Sequence, residues 1–218
     1  IIRTMKKGGR YDFSGLVEAQ FERGSGGRVL KNRLGIRSRR KMDDAEAAAL
    51  RTALDRLVRK YDEEHRFSVA DIRGMHRSWL GGSYEWAGEY RSVNLTKDGF
   101  PFAAAALIPS LMSQFERNVL ARCTPCRFES RTDVVSALAE VHVELVLIHP
   151  FREGNGRIAR VLSTLMALQA GLPLLDFSLL AGRRRKDYFA AIQPGLDRNY
   201  ERMERIFAEI IDRSLAAS

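Results

Sequence analysis

The stretch His149-Pro-Phe-Arg-Glu-Gly-Asn-Gly-Arg-Ile-Ala-Arg160 obliges this chain to bend between two helices, and much of the remaining sequence reads as a frame for that bend. Upstream, Val134, Val135, Leu138, Val141, Leu145 and Ile148 recur at helical spacing. Pro150 ends that helix, because proline disfavours helical geometry in the residue before it. Downstream, Ile158, Val161, Leu162, Leu165, Met166 and Leu168 restore the helical pattern until Gly171 and Pro173 stop it. Gly154-Asn155-Gly156 is therefore predicted at the N-terminus of a second helix.

Such a turn has a chemistry of its own. The first N–H groups of a helix lack internal partners and carry roughly half a positive charge, so a phosphate fits there if the backbone can approach it. Glycine permits the approach. Arg157 and Arg160, three apart, point to a similar side, where guanidinium forks can each take two phosphate oxygens. Glu153 is a hard oxygen ligand of the kind Mg²⁺ uses when shared with substrate phosphates. His149, at the helix exit, is suited to take a proton from a hydroxyl near neutral pH.

This stretch resembles the signature of the Fic family, His-x-Phe-x-(Asp/Glu)-Gly-Asn-Gly-Arg-x-x-Arg, at every specified position. The resemblance implies a mainly α single domain with a small β-hairpin flap, acting as a protein adenylyltransferase. AMP would pass from ATP, with Mg²⁺, to a Ser, Thr or Tyr hydroxyl of a target protein. In that reading His149 deprotonates the acceptor, Glu153 holds the metal, and Gly154, Asn155 and Gly156 cradle the phosphates. Arg157 binds near the β phosphate and Arg160 the γ phosphate. Phe151 anchors the loop in the core, while Arg152, at an unspecified position, reads as a solvated charge. A tyrosine-bearing helix after the signature would place Tyr188 against the nucleotide.

Two further features follow from the same resemblance. Asp98-Gly99, between short β-prone flanks, is a hairpin signal. In the family a flap at this position holds the target by strand addition, which assigns residues 92–101 to it and Val93, Asn94, Leu95, Thr96 and Lys97 to target contact. Ser14 to Glu18 is similar to the family's inhibitory Ser/Thr-x-x-x-Glu, whose glutamate pairs with the second signature arginine; here Ala19 departs from the usual Gly or Asn.

Charge is distributed unevenly. Residues 1–41 hold 12 Lys and Arg against 3 Asp and Glu, and the remainder is balanced, so the whole excess of +9 is N-terminal. That basic arm suits nucleic acid or an acidic partner, or a soluble extension. With no zinc motif or interleaved aromatics behind it, nucleic acid is not the expected partner. No apolar run is long enough to span a membrane and the N-terminus lacks the apolar block of a signal peptide, which predicts a cytoplasmic protein. Cys123-Thr-Pro-Cys126 follows a helix in a Pro-containing turn, the wrong setting for a redox pair, and reads as structural.

The expected organisation is a basic extension over 1–42, carrying the possible inhibitory helix, and a catalytic domain over 43–218. Leu16, Val17 and Phe21 are expected to pack, and Asp43 or Asp44 to cap a helix bearing Leu50, Leu54, Leu57, Val58 and Tyr61. Ser68-Val-Ala-Asp71 reads as a capping box for the next helix, on which His76 falls among apolar residues as a core histidine. The readings kept beside adenylyl transfer are a same-fold transferase with another nucleotide donor, a remover of AMP, and a regulatory module binding nucleic acid through the basic arm.

Overall fold

The computed structural model describes residues 2–4, 16–182 and 184–217. Its architecture is built around α5 (Arg131–Ile148), whose buried residues, Val135, Leu138, Val141, His142 and Leu145 among them, lie on more than one face. A helix apolar around most of its circumference is stable only when other elements enclose it. Here α6 (Asn155–Gln169), α8 (Glu201–Ala217) and α3 (Ile108–Phe115) do so. The outer helix α8 keeps an apolar stripe of Met203, Phe207, Ile210 and Ile211 against the core and charges outside.

On the other side of α6, α1 (Arg39–Lys60) packs against α2 (Val69–Leu80). The start of α1 differs from expectation. Ser38 is its cap, accepting from the Lys41 N–H, while Asp43 lies one turn into the helix and pairs with Arg39 at 2.9 Å. Arginine is a good helix former, so the run 39–41 joins the helix once a serine is present to cap it. The start of α2 follows the sequence reading, with Ser68 and Asp71 forming a reciprocal capping box. Its Ile72, Met75, His76, Trp79 and Leu80 are buried.

The hairpin is β2 (Leu95–Lys97) and β3 (Phe100–Pro101), antiparallel, with Asp98 at φ 50° and Gly99 at φ 84°. Both central residues are left-handed, the turn whose twist matches that of the strands it joins. On the other edge of β2, β1 (Ile2–Thr4) adds antiparallel with Thr4 opposite Leu95.

After the hairpin, α3 runs through a π-helical turn at Glu116–Leu120 into α4 (Ala121–Cys123). Cys123 and Cys126 are free and buried, and burial pushes their thiols up to about 11 and about 12. They are packed as small apolar groups, in keeping with the structural reading. The short α7 (Arg184–Ile192) bears Tyr188 and Phe189 between α6 and α8.

Residues 16–38 reverse one expectation. Only a 3-10 turn forms at Val17–Ala19, and it is Glu18 that is buried, while Leu16 and Phe21 remain exposed. The segment is nonetheless tied to the helical body: Val29 joins the core, and the Arg33 N–H donates to the Ser83 carbonyl at 2.8 Å. Among the described residues no helix is long and apolar enough to cross a membrane.

Candidate active site

The bend between α5 and α6 is held from inside and outside. His149 adopts φ 53° and ψ 57° as the residue that closes α5, so the chain reverses at the imidazole. Asn155 then locks the loop: its Oδ1 accepts from the Phe151 N–H and its Nδ2 donates to the Phe151 carbonyl, both at 2.8 Å. The Asn155 side chain is thus occupied within the loop. What it leaves for a phosphate is its backbone N–H, which with that of Gly156 opens α6 and has no upstream carbonyl in the helix.

Phe151 is fully buried and stacks on His76 with ring centroids 3.9 Å apart. His76 Nδ1 accepts from the Gly88 N–H at 2.8 Å, which fixes the proton on Nε2, and Nε2 donates to the Glu153 carbonyl at 3.0 Å. The core histidine of the sequence reading therefore also fixes the strand of loop that carries Glu153. Gly154 supports the turn at φ 85°, and a Cβ there would stand 2.7 Å from the Trp79 ring. No L side chain fits both conditions.

Arg91, which the sequence reading left without a role, ties this loop to the hairpin. It is 2 % exposed. Its Nε donates to the His149 carbonyl at 2.7 Å, its Nη1 to the Val93 carbonyl at 2.7 Å and its Nη2 to the Ala103 carbonyl at 2.6 Å. Burial lowers its pKa to about 10. The only signal in the sequence was an arginine at the hairpin root between two uncharged residues, Tyr90 and Ser92.

Charge in the site is mostly positive. Arg160 Nε donates to the Gly156 carbonyl at 3.1 Å; burial and then the fields of Arg157 and Arg185 act to lower its pKa. From the hairpin, Lys97 reaches across to α7 with its Nζ 3.1 Å from the Phe189 ring centre, and burial together with Arg185 lowers it to about 8. Arg157 pairs with Glu46 at 2.7 Å and lies 3.6 Å from Glu153. Tyr188 is buried beside Gly156, its hydroxyl 2.8 Å from His142 Nε2. Ser163 gives its proton to the Ala159 carbonyl, so His142 donates from Nδ1 to Ser163 and accepts from Tyr188 at Nε2.

His149 is neutral and poised. Its Nδ1 lies 3.0 Å from the Val146 carbonyl, which can only accept, so the proton sits on Nδ1 and Nε2 keeps a free lone pair. Among the described residues Nε2 is buried without a hydrogen-bond partner. Phe102 stacks on the ring at 3.6 Å, and burial lowers the imidazole to about 3.

Several expected residues lie elsewhere than foreseen. Arg152 is not solvated: it is 3 % exposed, and its Nε donates to the Glu18 carbonyl at 2.8 Å. Glu18 does not sit on Arg160. Its Oε1 accepts from the N–H of Ser92 at 2.7 Å and from the Ser92 hydroxyl, which clamps the hairpin root. Ser14 lies outside the described residues. In the hairpin, Val93 and Leu95 face inward and are buried, Asn94 Oδ1 accepts from the Ala105 N–H, and Thr96 and Lys97 are partly exposed. Strand alternation puts Lys97 on the face of Val93 and Leu95, and Asn94 and Thr96 on the opposite face.

Against known proteins, the Fic/DOC family description matches residues 66–167. The probable protein adenylyltransferase y4lH of Sinorhizobium fredii is 30% identical over 162 residues, which are 74% of this chain and 82% of that protein. The probable protein adenylyltransferase Fic of Escherichia coli K12 is 27% identical over 196 residues, 85% of this chain and 89% of the other. Among solved structures, the N-terminal Fic domain of a putative cell filamentation protein from Bartonella quintana, with bound ADP, superposes with a TM-score of 0.69 at 27% identity. That match covers 87% of this chain and 92% of the other.

Two outcomes are expected of this arrangement. His76, His142 and His149 are lowered by burial to about 4, about 3 and about 3. Between those values and the unfolded pKa of about 6.5 the unfolded chain binds more protons, so stability is complete above that pH and falls as pH falls. Each should forfeit roughly 2 kcal/mol at pH 5, read as a decline in thermal midpoint between pH 7 and 5; a flat profile contradicts their neutrality. Separately, Gly154→Ala should lose roughly 1–2 kcal/mol from its left-handed backbone alone, with more from contact with Trp79, measured by denaturant unfolding.

Proposed function

Since the chain belongs to the Fic/DOC family, we propose that it is a protein adenylyltransferase that moves AMP from ATP to a Ser, Thr or Tyr hydroxyl of a target protein. The observation that carries this reading is the bare Nε2 of His149, buried and unpartnered beside a helix start ringed by arginines. An unpaired buried nitrogen is unfavourable unless something arrives to use it.

The chemistry is a displacement at phosphorus. The target hydroxyl gives its proton to His149 Nε2 as its oxygen bonds to the α phosphorus. The bond from that phosphorus to the oxygen bridging to the β phosphate breaks, and pyrophosphate leaves. A base acts here as the neutral imidazole, the form that burial favours. The N–H groups of Asn155 and Gly156 face the phosphates, and Arg157 and Arg160 neutralise charge that builds on the leaving group. Phe102 covers the imidazole, so the hairpin must yield before the acceptor reaches it.

Mg²⁺ fits this site in one way. Among the described residues no group of three His, Cys, Asp or Glu could hold a metal unaided, while Glu153 offers a partly exposed carboxylate beside the helix start. One carboxylate plus substrate phosphates is a usual arrangement for this ion. Glu153 would hold it, and when bound it supplies charge neutralisation at the phosphates.

The hairpin would hold the target by its backbone. The outer edge of β2 accepts an antiparallel strand from the chain's own N-terminus, so its N–H and carbonyl groups suit strand addition. Glu18 is read as a clamp on the root of that hairpin, through Ser92.

The test uses ATP labelled on the α phosphate, with Mg²⁺ and lysate as the source of target. Wild-type protein should label a target, and His149→Ala should reduce the rate by about a hundredfold to ten-thousandfold. Label that persists undiminished in the variant removes the proposed base.

A further inference from the structure

One carboxylate without a part in the reaction above is buried at the rim of the site. Glu46, on α1, is 3 % exposed and stands with Oε2 2.7 Å from Arg157 Nη1. Its Oε1 accepts from the Tyr84 hydroxyl at 2.7 Å, and its backbone carbonyl accepts from Trp79 Nε1 at 2.8 Å. The Trp79 ring in turn lies under the Arg157 guanidinium at 4.5 Å and is the surface against which Gly154 is pressed. Burial, with the neighbouring Glu46 charge and hydrogen bond, raises the Tyr84 pKa, so the hydroxyl remains a donor to the carboxylate.

Arg157 is thus drawn at Nη1 to a buried carboxylate by charge rather than by an aligned hydrogen bond, faces Glu153 at 3.6 Å through Nη2, and rests one face on an indole. A guanidinium carries five N–H donors in a rigid plane, so fixing one edge and one face fixes the direction of the others. Stability alone is a weak reason for this pair, since a buried ion pair gains little over apolar residues of similar volume. Arg157 is only partly buried, with a side-chain exposure of 25% against 3% for Glu46. The pair joins a fixed interior charge to one that faces the cleft.

We propose that Glu46 is a positioning residue for nucleotide binding: it orients Arg157 so that the guanidinium donors not turned to Glu46 meet the phosphates beyond the α position. Tyr84 and Trp79 hold Glu46 and Arg157 in that relation. The proposal rests on the adenylyltransferase reading, and it predicts a discrimination that a purely structural role would not produce. Losing the grip weakens nucleotides with β and γ phosphates and leaves AMP, which has only the α phosphate, unaffected.

The measurement is calorimetric affinity for ATP and for AMP, both with Mg²⁺, on the full chain. Glu46→Gln keeps a hydrogen-bond acceptor for Tyr84 but removes the charge. It should weaken ATP by about tenfold and leave AMP unchanged, so that the ratio of the two affinities falls. Glu46→Asp, which keeps the charge and withdraws it by one methylene, serves where Gln is not tolerated and should shift the ratio the same way by less. In an Arg157→Gln background the Glu46→Gln change should have no further effect on the ratio, because the two act as one unit. An unchanged ratio in either soluble variant, tighter ATP binding, or an undiminished effect in the Arg157→Gln background overturns the proposal. Wild-type protein that binds neither nucleotide would instead sink the adenylyltransferase reading itself.

Discussion

The buried guanidinium of Arg91 is the junction on which the site depends. Among the described residues it pairs with no carboxylate, and it spends its donors on main-chain carbonyls: His149 at the end of α5, Val93 before β2 and Ala103 after β3. The end of a helix carries partial negative charge on carbonyls that have no internal partner. A cation there closes the helix, and the same cation reaches both roots of the hairpin. Its backbone N–H also donates to the Pro150 carbonyl. The hairpin therefore cannot change its angle to His149 without disturbing bonds to a buried charge, which is expensive to leave unsatisfied.

Around that junction the loop is over-determined. Asn155 closes it on Phe151, His76 holds the Glu153 carbonyl, Arg152 takes the Glu18 carbonyl, and Trp79 presses on Gly154. Each contact restrains backbone and leaves functional atoms free: Nε2 of His149, the first N–H groups of α6, one edge of Arg157. Preorganisation of this kind means little rearrangement is needed when charge develops on a phosphate. The neutral state of the three buried histidines belongs to the same design, because a charged imidazole would need an anion that the core does not supply.

Much of this was legible in the sequence because the signals were local. Pro150 and the glycine pair set the ends of α5 and α6, Ser68 and Asp71 the start of α2, and Asp98-Gly99 the hairpin turn. What escaped depends on distance. Arg91 and His149 are 58 residues apart, and neither one's neighbours announce the contact. Arg152 looked solvated because the signature leaves its position unspecified, yet its Nε donates to the Glu18 carbonyl, 134 residues away. Glu46 drew no notice in the sequence, although it follows Met42 by one turn and shares the stripe that continues through Ala53 and Leu57. Glu18 was placed on Arg160 by analogy with a spacing, and the 3-10 turn that forms instead aims it at Ser92.

The division of labour in the hairpin has a consequence for target choice in the proposed reaction. Val93 and Leu95 are buried, so the edge of β2 that β1 pairs with here would offer a target mainly hydrogen bonds that every peptide backbone can make. Main-chain pairing fixes register and brings one side chain of the added strand to a set height above His149, but it does not read residue identity. Discrimination would then fall to the outward Thr96, to Lys97 where it spans the site, and to surfaces beyond the hairpin. Lys97 is already engaged with the Phe189 ring on α7, so an incoming strand that recruits it must draw it away from the wall of the nucleotide site. In the proposed reaction target and nucleotide would thereby be linked through one side chain, with Arg91 holding the frame around it.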